Sequence, residues 1–434
     1  MNHSQKWHPS QWRQFPARQQ PEYPNPEALS AIEKQIATYP PLVAVEDIQA
    51  LSTHLKLAEQ GKAFILHAGD CAERFQDCDL ATTNKKYLHL HVMATLLELQ
   101  LAKPVTIIGR LAGQFAKPRS VNFSRVHYQE TRETLPVFRG DNVHSFQHSH
   151  QDRQPDPSRL VTGYYKAKQV LHDLNTLSSY YSYEVFLTEL LLQIKSLPQK
   201  QQHELLLLYQ EKINLPEAPR PLYTSHEALL LGYEEALTKP WHHGEEQVYY
   251  NLSSHFLWLG HRTRYFGEAH MNYISGIANP VGIKIGPETT PEELATYLQR
   301  LNPEKISGKL TLITRMGSQA VVKQLTLLIP VVKRMDIPVL WLCDPMHGHA
   351  TILASGQKTR FVPDMKREVA LTHQLLQKHS CALGGIHLET THEAVSECLD
   401  EQCVPLPQSL SPYTSFCDPR LTFSQAMTVI RDLV

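Results

Sequence analysis

The chain has no CxxC pair, and its seven cysteines are odd in number and irregularly spaced. That excludes the disulfide framework of a small secreted protein. It points to a reducing cytoplasm, with one or two thiols open to chemistry. Long hydrophobic runs are lacking too. A run such as LLLLY at 205–209 is far too short to span a bilayer. The opening MNHSQKWHPSQWRQFP holds no apolar stretch of the kind a secretory signal needs. Neither sign of charge dominates, with 42 Lys and Arg against 43 Asp and Glu. A net charge of −1 gives no general attraction to nucleic acid or to an anionic membrane. Any anionic ligand must therefore be caught by a local cluster of basic side chains. There is no internal repeat and no low-complexity tract. Histidine is the one excess, and 24 of them weaken any argument from a lone His.

What is present is a large core. The chain is 42% hydrophobic and 20% charged over 434 residues, which suits a globular protein of one large or a few smaller domains. Residues 1–60 are rich in Pro, Gln and Trp as far as Tyr39-Pro40-Pro41, then become amphipathic near 45–60. They are expected to form an extension that packs on a main domain at 61–434. Eight short apolar runs follow: 63–70, 105–112, 221–226, 255–262, 281–286, 309–315, 337–343 and 383–389. Most are continuous rather than alternating, as in parallel strands buried on both faces. Helical patterns lie between them at 82–102, 226–238, 290–301, 318–334 and 364–380. The string Thr290-Pro291-Glu292-Glu293 supplies a cap, a proline at the first helical position and acids in the first turn. The pattern predicts an α/β fold, a (β/α)8 TIM barrel, with a doubly wound open sheet as the alternative. The stretch of about 121–220 is too long for one crossover. Its helical patterns at 157–176 and 182–212 mark it as a helical insertion.

Catalytic groups of such a barrel gather at the C-terminal ends of its strands. Two sets appear there. The basic set is Arg110, Lys117, Arg119, Arg262, Lys284 and Arg315. Converging guanidinium and ammonium groups hold phosphate and carboxylate, although each residue taken alone could equally pair with a carboxylate in the barrel. The second set is Cys71, His347, Glu389 and Asp418, with His349 and Cys417 close by in sequence. A thiolate, an imidazole and two carboxylates suit a borderline divalent ion, although any one Cys or His could instead be core. These residues alone give a barrel enzyme with a divalent metal and an anionic substrate, and no particular reaction.

Eleven strings in order go further. They are WRQFPARQQPEYP (12–24), AGDCAERF (68–75), GRLAGQFAKPRS (109–120), FRGDNV (138–143), TSHEALLLGYEEALT (224–238), FLWLG with RTR (256–264), NPVGIKIGP (279–287), KLTLITRMG (309–317), WLCDPMHG (341–348), GGIHLE (384–389) and CDPRL (417–421). Together they resemble the plant-type, class II 3-deoxy-D-arabino-heptulosonate 7-phosphate (DAHP) synthases over nearly the whole chain. The resemblance implies a shikimate-pathway transferase that condenses phosphoenolpyruvate with erythrose 4-phosphate. It places Cys71, His347, Glu389 and Asp418 on the metal, manganese first, with cobalt, iron or zinc as alternatives. Arg110, Lys117, Arg262, Lys284 and Arg315 fall on phosphoenolpyruvate, and Arg119, Ser120 and Lys358 on the aldose phosphate. The metal would polarise the aldehyde and C3 of phosphoenolpyruvate would attack it. Lys117, its pKa lowered among other cations, is the expected proton carrier for the water at C2. A homo-oligomer is expected, because extension and insertion must bury their apolar faces, and a chorismate mutase is a possible partner.

Three positions depart from the family pattern: His67 for the usual Gln, His261 for an acid, and His349 for Asn. They lie near the site and bear on aldose specificity. They keep open a secondary-metabolic variant, such as a phenazine-branch or amino-sugar-phosphate enzyme. A non-catalytic regulatory homologue and a metal-dependent hydrolase are the other readings.

Overall fold

The computed structural model describes residues 7–433, apart from 129–130, 182, 196, 198, 200–201, 204–219 and 245. Eight parallel strands close into a barrel. They are β1 (Phe64–Gly69), β2 (Val105–Arg110), β3 (Leu222–Glu227), β4 (Phe256–Leu259), β5 (Val281–Ile285), β6 (Leu310–Thr314), β7 (Leu340–Cys343) and β8 (Leu383–Glu389). Each pairs with the next in chain order, and β8 returns to β1. The expected barrel is therefore observed, and the open sheet is not. Nearly every strand residue is buried, since the interior takes one face and the helices the other.

The register positions the chemistry. Gly69, the last residue of β1, sits opposite Arg110 of β2 on one side and Glu389 of β8 on the other. A cation and an anion from neighbouring strand ends are thus set at one level of the barrel mouth.

The opposite mouth is plugged. Leu51, Leu55 and Ala58 of helix Val45–Glu59 pack with Ile65, Ile108, Phe256, Trp258, Ile313 and Leu342 in one cluster. The fit is tight, for a Cβ at Gly308 would lie 2.4 Å from the Ser52 carbonyl oxygen and one at Gly384 2.6 Å from that of Ala58. Binding is left to the end where Arg110 and Glu389 stand.

Upstream of that plug, the proline-rich segment holds a helix, Pro26–Ala37, that composition conceals. Asn25 caps it and Pro26 opens it. The Trp7 indole N–H donates to the Asn272 carbonyl at 3.1 Å and that of Trp12 to Glu235 Oε2 at 2.8 Å. Both bonds tie the extension to the barrel domain.

Between β2 and β3 come the hairpin of Phe123–Tyr128 with Thr131–Pro136 and the helices Ser158–Tyr180 and Tyr183–Lys195. The pattern read at 182–212 is helical over 183–195, and most of its remainder lies outside the described residues. A second hairpin, Thr238–His243 with Glu246–Asn251, was not expected, and the helix read at 226–238 is confined to Leu231–Ala236. No helix among the described residues is long and apolar enough to cross a membrane.

Candidate active site

Cys71 lies two residues beyond the end of β1, and Glu389 ends β8. Asp418 arrives on the C-terminal segment, which is stitched to the barrel where the Leu421 N–H donates to the Glu389 carbonyl at 2.9 Å. The Asp418 N–H in turn donates to Cys71 Sγ at 3.3 Å. The thiol and the two carboxylates each bring a ligand atom within 4.8 Å of the others. At their focus stands the Lys117 ammonium, 2.8 Å from Cys71 Sγ and 3.2 Å from both Glu389 Oε1 and Asp418 Oδ2. Three donors closing on one cationic nitrogen form a site built for positive charge. One sulfur and two hard oxygens suit a borderline divalent ion.

His347 adjoins this triad without joining its closest group. Its Nε2 is 3.2 Å from Glu389 Oε1, and its Nδ1 is 2.8 Å from Asp344 Oδ2. A carboxylate holding the far nitrogen of an imidazole is the usual support of a metal-binding His. His349, two residues on, turns away, its Nε2 lying 2.8 Å from Glu368 Oε2. The HxH string is therefore not a pair of ligands.

The charges follow from these neighbours. Burial works against ionisation of Glu389, but His347, Lys117 and Arg360 outweigh it and hold the carboxyl well below its ordinary range. The Asp418 carboxyl is likewise depressed against burial, chiefly by Lys117. Burial, Cys417 and Glu389 push the Cys71 thiol well up. The expectation for Lys117 is overturned here. It stands among anions rather than cations, so Cys71, Glu389 and Asp418 overcome burial and raise its pKa.

The remaining basic groups spread around this centre. Arg110 donates through Nη2 to Glu389 Oε1 at 3.2 Å and to the Cys71 carbonyl at 3.1 Å. Lys284 is ion-paired with Asp344, yet burial, with Arg110 near, lowers its pKa to about 8. Arg315 donates to the His347 carbonyl at 2.6 Å. Arg262 reaches Ser120 Oγ, which ties the β4 end to the loop after β2. Arg119 is half-buried, and its backbone N–H donates to Gln19 Oε1 of the extension at 2.9 Å. Lys358 Nζ lies 2.7 Å from Asp418 Oδ1, so it touches a metal-ligand candidate directly. His261 pairs with Glu288 at 3.1 Å.

Two further groups belong here that the strand-end reading passed over. Asp344 bridges Lys284 and His347. Its signal was its place at the end of β7, three residues before His347. Arg360, fully buried, donates to Glu389 Oε2 at 2.9 Å and to the Pro419 carbonyl. It sits two residues beyond Lys358, past a small hairpin, where no strand-end rule looks.

The family model for the class-II DAHP synthetase family matches residues 7–433. The chain belongs to this family. A phospho-2-dehydro-3-deoxyheptonate aldolase of Neurospora crassa is 38% identical over 461 residues, spanning 97% of this chain and 92% of the relative. One of Streptomyces coelicolor is 36% identical, spanning 96% and 94%. A probable one of Pseudomonas fluorescens is 35% identical, spanning 95% and 94%. In this class-II barrel, most of the eleven strings lie along the barrel strands and the loops after them, while 12–24 lies in the extension and 224–238 runs on into helix Leu231–Ala236.

Proposed function

We infer that the chain is a 3-deoxy-7-phosphoheptulonate synthase, a transferase that condenses phosphoenolpyruvate with erythrose 4-phosphate, releases phosphate and opens the shikimate pathway toward aromatic amino acids. The observation that carries the reading is family membership over residues 7–433 together with the convergence of Cys71, Glu389 and Asp418 at the barrel mouth.

Cys71, His347, Glu389 and Asp418 would hold a divalent ion, with manganese the proposed occupant. When bound, that ion would supply a Lewis acid for the aldehyde oxygen. The chain's own groups do the rest. Arg110, Arg262, Lys284 and Arg315 bind and orient the carboxylate and phosphate of phosphoenolpyruvate, and fixed cations at the mouth stabilise charge as it moves. Arg119, Ser120 and Lys358 receive the aldose phosphate, and the Arg262–Ser120 contact is where the two subsites would meet. Without the ion, Cys71, Glu389 and Asp418 hold Lys117 as an ammonium, and it is the group placed to exchange a proton with the water at C2.

Seven free thiols support a reducing cytoplasm as the site of action. Association with a second copy of the chain, or with a chorismate mutase, belongs to the same proposal.

The deciding assay follows phosphate release from phosphoenolpyruvate with erythrose 4-phosphate, first in Mn²⁺ and then in EDTA. Turnover that needs the metal is expected. A metal-loaded, folded sample without turnover would overturn the reading.

A further inference from the structure

Behind Arg110, in the barrel interior, runs a chain of buried side chains that the condensation chemistry leaves unused. Arg110 Nη1 is 2.7 Å from His387 Nε2. His387 Nδ1 is 2.9 Å from His67 Nδ1. His67 Nε2 is 2.8 Å from Ser225 Oγ, and Ser225 Oγ donates to the Gly109 carbonyl at 2.9 Å.

The direction of every bond in this chain is fixed. A guanidinium only donates, so His387 Nε2 must accept. The one proton of a neutral His387 is then on Nδ1, facing His67. His67 Nδ1 must accept it, which puts the His67 proton on Nε2, aimed at Ser225. The serine hydrogen is left for Gly109, the residue before Arg110. The chain thus leaves β2 at the Arg110 side chain, crosses β8, β1 and β3, and returns to β2 at the Gly109 carbonyl. Trp258 backs it, with ring centroids 5.2 Å from His67 and 5.6 Å from His387, and lies 5.2 Å from the Arg110 guanidinium carbon.

We propose that the His67–His387 pair is a positioning relay for Arg110, setting the orientation in which this arginine meets phosphoenolpyruvate. The inference rests on the placement of Arg110 in that substrate's site. Arg110 also donates through Nε to the Asp70 carbonyl at 3.0 Å and through Nη2 to Cys71 and Glu389. Among the described residues, four of its five N–H donors are therefore committed, which leaves one on Nη1 for a ligand. The bond to His387 is the one that holds Nη1, the nitrogen carrying that last donor. A glutamine at position 67 has the same polarity, its carbonyl accepting from His387 and its amide donating to Ser225. A leucine fills similar space and does neither.

The test compares His67→Leu, His67→Gln, Arg110→Lys and the double variant His67→Leu/Arg110→Lys as Mn²⁺-loaded enzymes. It reads KM for phosphoenolpyruvate, KM for erythrose 4-phosphate and direct phosphoenolpyruvate binding by calorimetry. The relay requires His67→Leu to raise KM for phosphoenolpyruvate about tenfold, the scale of one misplaced charged hydrogen bond. KM for the aldose phosphate should move less than twofold, and His67→Gln should stay within about twofold of the parent in both. The double variant should be no worse than Arg110→Lys alone, because the two act through one group. Should His67→Leu fail to fold, Ser225→Ala breaks the chain at its other end and should raise the same KM alone. Unchanged phosphoenolpyruvate affinity in the broken relay, additive losses, or a glutamine as poor as leucine would each overturn the relay. Unaltered phosphoenolpyruvate binding in Arg110→Lys would instead overturn the placement of Arg110, and the relay with it.

Discussion

Lys117 Nζ lies closer to Cys71 Sγ, at 2.8 Å, than to either carboxylate of the triad. Its positive charge stands where a divalent ion would be drawn, so ammonium and metal compete for the same three donors. Replacing Lys117 with Met should therefore separate two properties that usually fall together. Mn²⁺ affinity should rise by roughly tenfold or more, because a like charge a few ångströms away is removed. Turnover should drop about a hundredfold or more, the scale for losing a proton donor at the reacting centre. Metal titration followed by electron paramagnetic resonance, run beside steady-state kinetics, checks both. Weaker metal binding in the variant would mean that Lys117 supports the ion rather than opposing it.

Lys284 sets a pH limit. Burial lowers its pKa to about 8 even though Asp344 is its ion-pair partner. Only the protonated form attracts an anionic substrate. The quotient kcat/KM for phosphoenolpyruvate, which reports free-enzyme groups, should be level through neutrality and fall as pH rises through about 8. Lys284→Arg keeps its charge to far higher pH. Its profile should be lower overall, for want of fit, and should lose that alkaline limb. A limb at the same pH in the variant would assign the titration to another group.

Parts of this architecture were legible because they depend on local chemistry. All eight strands were legible as short apolar runs, most of them continuous, since both faces of a barrel strand are buried. The triad was legible because the strand-end rule points at Cys71 and Glu389, and Asp418 stands in the short segment that follows the last strand. The relay was not, for its two histidines are 320 residues apart and each alone looks like core. Arg360 was hidden for another reason. It lies outside every strand end and owes its place to a hairpin that no periodicity reveals. The helix Pro26–Ala37 was masked by proline-rich composition, although Asn25 and Pro26 are a cap and a first turn.

The start of helix Pro291–Leu301 was read from four residues, and both bonds of a capping box are present. The Glu293 N–H donates to Thr290 Oγ1 at 3.1 Å, and the Thr290 N–H donates to Glu293 Oε2 at 3.0 Å. Thr290→Ala should cost about 1 kcal/mol, read as a lower urea midpoint with an unchanged slope. Both capping bonds stay between Thr290 and Glu293 and reach no residue of the triad, so kcat should hold. A midpoint that does not move would show that the apolar face of the helix fixes its start without the cap.

Arg360 joins stability to metal binding. Its guanidinium touches Glu389 Oε2 and the carbonyl of Pro419, the residue after Asp418. It therefore braces two ligand candidates from different parts of the chain. Arg360→Met keeps much of the bulk and leaves a buried carboxylate short of one cation, a change that costs about 3 kcal/mol. The sign with pH follows from Glu389. Its carboxyl is held well below the usual range, against burial, by His347, Lys117 and Arg360. The stability this gives is complete above the ordinary carboxylate pKa and is lost as pH falls through the lower folded value. Removing one of the three cations should move that loss toward neutral pH. Urea unfolding in EDTA across the acid range reads this first effect, and Mn²⁺ titration reads the second, a weaker site as Asp418 loses its brace. Arg360→Lys, which restores charge without the reach of Nη1 to both Glu389 and the Pro419 carbonyl, should recover more of the stability than of the metal affinity. Equal recovery of both would reduce Arg360 to a counter-charge and leave the placing of Asp418 to the strand-like bridge between Thr390 and Leu421.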